Sequence, residues 1–274
     1  MKIKIITGST LTSIIACAVV STAHSQIAYT GSALNYAANF NSLGTTGPQS
    51  WTDNSTLPGW YLKAASSTFG SGGIPTSLNV VNGGGESTAG AYNVGTNGVD
   101  PLTTRALGWV VASTTGTGFI GLELQNTSGS AFSGDVTFNY AIGQFSAKNA
   151  ASETVSTGYK IFASTGNQLG TSGFTALDSI ANPNLSNVGG GIDGFATGNY
   201  TTETDTIDLS STPWANNQFL LLEISIPRET SGNNELLAVE SMDVTIVGVP
   251  EPSALALCGS GLAGLLAVQR LRRK

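Results

Sequence analysis

The chain has 274 residues, of which only 10% are charged; 17 acidic residues against 11 basic ones give a formal net charge of −6. Its single histidine (His24) and its two cysteines (Cys17 and Cys258) lie in the two end segments. A body without His or Cys excludes Ser-His-Asp and Cys-His catalysis and a zinc site of the usual ligands, and it has no disulfide. The body's only basic residues are Lys63, Arg105, Lys148, Lys160 and Arg228, so it carries no basic patch for nucleic acid or anionic lipid.

At the N-terminus, Lys2 and Lys4 precede an apolar-leaning run from Ile5 to Val20, followed by Ala23-His24-Ser25. This order predicts a secretory signal peptide over 1–25, a helix removed by signal peptidase after Ser25, so that the mature chain starts near Gln26. Ile14-Ile15-Ala16-Cys17 resembles a lipobox, but Ala18, Val19 and Val20 continue the apolar run beyond it.

Strand signals dominate 26–248, which reads as one domain. Ala33–Phe40, Trp60–Ala64, Leu78–Val81, Ala89–Val94 and Arg105–Ala112 come first. Phe119–Gln125 puts Ile120, Leu122 and Leu124 on one face, and Asp135–Ile142 does the same with Val136, Phe138, Tyr140 and Ile142. Between these two, Asn126–Ser130 is a turn cluster, which predicts a hairpin. Val155–Ala163, Thr202–Leu209, Phe219–Ile226 and Ser241–Val247 follow, with looser stretches at Asn82–Glu86, Gly116–Gly118 and Asn182–Gly198. With no helical period and no repeat, the expectation is mainly β: an antiparallel β-sandwich of jelly-roll type.

Several segments of the body support that expectation by resemblance. Asn39–Gly44, Trp51–Tyr61, Arg105–Gly108 and Leu124–Gly129 resemble parts of a jelly-roll module of secreted bacterial surface proteins. The module implies no settled activity, and Met242 beside Asp243 departs from the acidic pair usual in its final strand.

Two sets of candidate site residues stand out. Trp60 and Trp109 sit in strand patterns and are expected in the core. Trp51, in a polar stretch, and Trp214, after Pro213, are expected at the surface, where their rings would stack on sugars. Asp193, Glu203, Asp205 and Asp208 offer oxygen ligands for calcium, and Glu203 with Asp205 on one strand face suits carboxylate-dependent glycoside hydrolysis. The spacing of a calcium loop is absent, and isolated solvated carboxylates are the plainer reading. Arg228 and Glu229 read as an exposed turn pair. No other metal, cofactor or catalytic set is expected.

The last segment, 249–274, has three parts: Pro250-Glu251-Pro252, an uncharged run Ser253–Gln269, and the basic stop Arg270, Arg272, Arg273 and Lys274. The prolines predict an exposed, extended strap. At ~1.5 Å per residue the run makes a helix of roughly 25 Å, short of the ~30 Å hydrocarbon core. It is weakened further by Gly259, Gly261 and Gly264. A short transmembrane helix with its basic end inside the cell is expected.

Together these parts resemble the PEP-CTERM sorting signal of Gram-negative bacteria, also known as the ice-binding protein C-terminal domain. The resemblance implies an exosortase-type membrane protease that reads Pro250, Glu251 and Pro252, removes the tail and releases the body to the cell surface. It also implies association with exopolysaccharide and biofilm matrix. The expected function is therefore a non-enzymatic exported surface or matrix protein, with a lectin-like exopolysaccharide binder and a glycoside hydrolase as alternatives.

Overall fold

Alternating short runs of β-branched, aromatic and aliphatic residues make strands the main regular structure among the described residues. A computed structural model describes residues 26–83, 86, 88–96, 104–112, 115–146, 154–181, 191–228 and 235–248. The signal segment, the PEP tripeptide, the C-terminal helix, the basic stop and Glu229 lie outside the described residues. Among the described residues no helix is long and apolar enough to cross a membrane.

In chain order the strands are β1 (Ile27–Tyr29), β2 (Leu34–Ala38), β3 (Gln49–Ser50), β4 (Trp60–Ala64), β5 (Ser77–Asn82), β6 (Gly90–Gly95) and β7 (Arg105–Val110). They continue as β8 (Gly118–Asn126), β9 (Asp135–Ser146), β10 (Thr154–Phe162), β11 (Thr175–Ala181), β12 (Tyr200–Asp208), β13 (Phe219–Ile226) and β14 (Leu236–Ile246). Sheet I runs β1-β8-β13-β10-β11, with β4 also on β8. Sheet II runs β12-β9-β14-β7-β6-β5-β3, with β2 also on β14.

The two sheets face each other as a β-sandwich. Ile120, Leu122 and Leu124 of β8 lie opposite Ile224, Leu222 and Leu220 of β13. These side chains share one buried cluster with Val136, Phe138 and Tyr140 of β9 and Met242, Val244 and Ile246 of β14. Two tryptophans join the layers: Trp109 Nε1 donates to the Phe119 carbonyl at 3.1 Å and Trp60 Nε1 to the Tyr36 hydroxyl at 2.9 Å. Both are buried, as expected for core residues. Gly118 is required under Trp109, since a Cβ there would stand 2.6 Å from the ring.

Two features depart from expectation. The sheets are mixed rather than antiparallel, because β1 pairs with β8 and β5 with β6 in parallel. Alternation fixes which side chains share a face and carries no information on strand direction.

Nor do β8 and β9 form a hairpin; they belong to opposite sheets. Their connection is held instead by the segment around Trp214. Phe132 N–H donates to Trp214 O at 2.9 Å, Trp214 N–H to Phe132 O at 2.8 Å, and Asn126 Nδ2 to Trp214 O at 2.7 Å. A strand with one apolar face is satisfied equally by an edge partner or by a strand on the facing sheet, ~10 Å away.

Candidate functional site: the roofed outer face of sheet I

Alternation along β4, β8, β10 and β13 sends Tyr61, Glu123, Phe162, Phe219, Leu221 and Glu223 to the outer face of sheet I. That face is covered. Tyr61, Phe162, Phe219 and Leu221 form a second buried cluster with Leu169, and the connection between β10 and β11 lies over it. Among the described residues three carboxylates are held at this face, two with their oxygens satisfied and one not.

Asp53 is a tie. Its Oδ1 accepts from Trp51 Nε1 at 2.7 Å and from Leu62 N–H at 3.0 Å, and its Oδ2 accepts from Asn167 Nδ2 at 2.7 Å. Burial raises its pKa and these three donors pull it back. Glu223 fastens the roof: Oε2 accepts from Gly170 N–H at 2.5 Å and Oε1 from the Ser225 hydroxyl at 3.1 Å. Burial raises its pKa as well, opposed by those two donors and by Lys63 and Lys160.

Glu123 is incompletely satisfied. Its Oε1 accepts from the Tyr61 hydroxyl at 3.1 Å and from Gln26 Nε2, while its buried Oε2 has no hydrogen-bond partner among the described residues. The residue is 0% exposed. Burial pushes its carboxyl up to about 7, the Tyr61 and Gln26 hydrogen bonds lower it, and the charge of Asp53 raises it further. The Tyr61 phenol is raised by burial first and by Glu123 second.

Gly59 makes the approach of the first strand possible. At φ +79° it takes a conformation favouring glycine, and a Cβ there would stand 2.7 Å from Ile27 Cδ1 and 2.9 Å from the Glu123 carbonyl.

The residues singled out in the sequence are placed differently. Trp51 and Trp214, expected at the surface, are 3% and 0% exposed. Trp51 is tied to Asp53, while Trp214 donates to Gln218 O at 2.9 Å and stacks 5.9 Å from Tyr29. A ring closed off in this way presents no face to a sugar, which corrects the expected platform.

The four candidate calcium ligands also do not converge. Among the described residues no three acidic, His or Cys side chains are placed to hold a metal. Asp205, 7% exposed, takes hydrogens from Tyr140 and Thr157 between the sheets. Glu203 is half-buried and Asp208 exposed, with Ser210 lowering the Asp208 pKa. Asp193 accepts from Phe195 N–H at 3.2 Å and acts on Glu240. The pair on β12 is therefore no solvated carboxylate dyad.

Among the described residues a groove opens beside β5 and β6. Its volume is about 300 Å³ and Pro48, Asn79, Val81, Glu86, Thr88 and Tyr92 line it. Tyr92 donates its hydroxyl to Thr88 O at 2.7 Å. Burial, and then the charge of Glu86, pushes the Tyr92 phenol up to about 12, so it stays a donor at any ordinary pH.

Glu123, Gln26 and the groove residues carried no signal that reading one strand at a time detects. A carboxylate on the outer side of a strand reads as solvated unless a remote segment covers it. Trp60-Tyr61-Leu62 and Phe219-Leu220-Leu221-Leu222, apolar on both strand faces, are local hints that sheet I is covered on both sides.

No protein-family model matches this chain, and no curated protein matches it. Solved structures with a similar course include a cyclase from Fischerella sp. TAU, at 13% identity and a TM-score of 0.41, covering 80% of this chain and 100% of that one. The xylan-binding module CBM15 is 9% identical with a TM-score of 0.36, covering 74% of this chain and 97% of that one. The K3 adhesin domain of Lys-gingipain from Porphyromonas gingivalis w83 is 12% identical with a TM-score of 0.36, covering 69% and 92%. At these values neither ligand nor activity passes from them to this chain.

Proposed function

We propose that the chain is an exported surface or matrix protein whose β-sandwich body contacts hydroxyl-rich polysaccharide through the groove beside β5 and β6. On this reading signal peptidase removes 1–25. An exosortase-type protease then reads Pro250, Glu251 and Pro252, while the helix and the basic stop hold the chain at the inner membrane. The body reaches the cell surface without a catalytic role.

The observation that carries the binding part is the groove's lining. It places an amide (Asn79), a hydroxyl (Thr88), a carboxylate (Glu86) and a phenol (Tyr92) around about 300 Å³ of open space. Neutral donors and acceptors with a single charge suit hydroxyl groups better than ionic ligands. The surface, poor in charge and rich in Ser, Thr, Asn and Gly, agrees with that.

Retention of the purified protein on exopolysaccharide from its host tests this reading. Wild-type protein is expected to be retained, and the exposed-side variants Asn79→Ala and Thr88→Ala to be released earlier. Passage of the wild type unretarded would leave an exported structural protein without a glycan ligand.

A further inference from the structure

The geometry points to a second, internal binding site. We propose that the buried carboxylate of Glu123 is the docking site for the α-ammonium group that leader removal creates on Gln26. The proposal rests on the reading above, in which the leader ends at Ser25.

Four observations place the partners together. β1 pairs with β8 in parallel register, Ile27 opposite Leu124 and Ala28 opposite Gln125, so residue 26 falls level with Glu123. Gln26 already donates its side-chain amide to Glu123 Oε1. The other oxygen, Oε2, is buried and unpartnered. Gly59 leaves the space through which Ile27 approaches.

Among the described residues, the groups acting on Glu123 supply no positive charge. Tyr61 faces it from β4 and Asp53 from the turn before β4, and Gln26 is neutral. The two lysines of this face, Lys63 and Lys160, act on Glu223. A buried carboxylate oxygen left without a donor is destabilising, and an ammonium beside it removes that penalty. Before processing, burial favours the neutral carboxyl and holds its pKa up at about 7; after processing the ammonium favours the ionised form, and the pair clamps β1 to the edge of sheet I. The first strand, already paired with β8, is thereby held more firmly in the mature protein.

The test compares two exported chains recovered from the host: the natural one, and one with an alanine inserted after Ser25, which moves the ammonium one residue away. The natural form is expected to melt roughly 2–4 °C higher at pH 7.5, with the gap closing toward pH 5, where the carboxyl is neutral in the inserted form. Glu123→Gln is expected to abolish the gap at every pH. Equal melting of the two chains at pH 7.5 would overturn the proposal even if Glu123→Gln failed to fold. So would a mature mass lower by one ammonia, the sign that Gln26 has cyclised and lost its amine. An N-terminus other than Gln26 would instead overturn the leader boundary, and the docking with it.

Discussion

Asp205 of β12 and Thr157 of β10 meet across the two sheets, the Thr157 hydroxyl donating to Asp205 Oδ2 at 2.8 Å. The same oxygen accepts from the Tyr140 hydroxyl at 2.8 Å, and Thr157 Oγ1 in turn accepts from Asp178 N–H at 3.1 Å. One carboxylate thus organises a polar chain through sheet II, sheet I and the edge strand β11.

Removing it leaves two hydroxyls without their acceptor. Asp205→Ala is expected to lower unfolding stability by about 2–4 kcal/mol and Thr157→Val by about 1 kcal/mol. Urea titration measures both. A loss under about 0.5 kcal/mol for Asp205→Ala would show that water replaces the contact.

Glu240 sits at a bulge of β14, where the register on β9 jumps between Val239 and Ser241, and its Oε1 is buried without a partner among the described residues. Burial, then the charge of Asp193, pushes its carboxyl up to about 8. The folded state therefore holds this proton more tightly than the unfolded chain does. The contribution to stability is fully present below the unfolded pKa of about 4.5 and is lost as pH rises toward about 8. With partial exposure discounted, the loss is on the order of 2 kcal/mol. Glu240→Gln is expected to flatten that decline in melting curves between pH 5 and pH 9; an unchanged slope would assign the decline to another group.

The tryptophans make a third prediction. Trp214 contacts Tyr29 and Phe132 in the core, so Trp214→Ala is expected to cost about 3–5 kcal/mol in stability. Trp51→Ala loses core contacts and the donor to Asp53. Both variants, where they fold, are expected to keep polysaccharide retention. Selective loss of retention with unchanged melting would restore the stacking platform.

Leu169 is the centre of the roof over sheet I and is 0% exposed. Leu169→Ala is expected to cost about 2–4 kcal/mol and to speed amide hydrogen exchange at Gly170, whose N–H is held by Glu223. Exchange unchanged at Gly170 would mean the roof is fastened independently of its apolar plug.

These sites explain what the sequence could and could not disclose. Trp60–Ala64 and Phe219–Ile226 were legible to the residue, because each is a short apolar run bounded by turn residues. β1, β3 and β11 were not, since strands as short as Ile27–Tyr29 or as polar as Thr175–Ala181 leave no alternation to read. Pairing was hidden for the same physical reason: Ile120, Leu122 and Leu124 announce a face but name no neighbour. Trp51 and Trp214 stand among polar residues in sequence, yet both rings join the core cluster, and Trp214 is bridged to Phe132 far along the chain. Glu123 was passed over because the cover that buries it and its neighbours Tyr61, Gln26 and Asp53 all lie far from it in sequence.

The most direct test of the account is the intact mass of the protein recovered from the surface or medium of its host. The expected product starts at Gln26 and ends before the apolar run that begins at Ser253. A product that still carries His24 at one end and Lys274 at the other would contradict it.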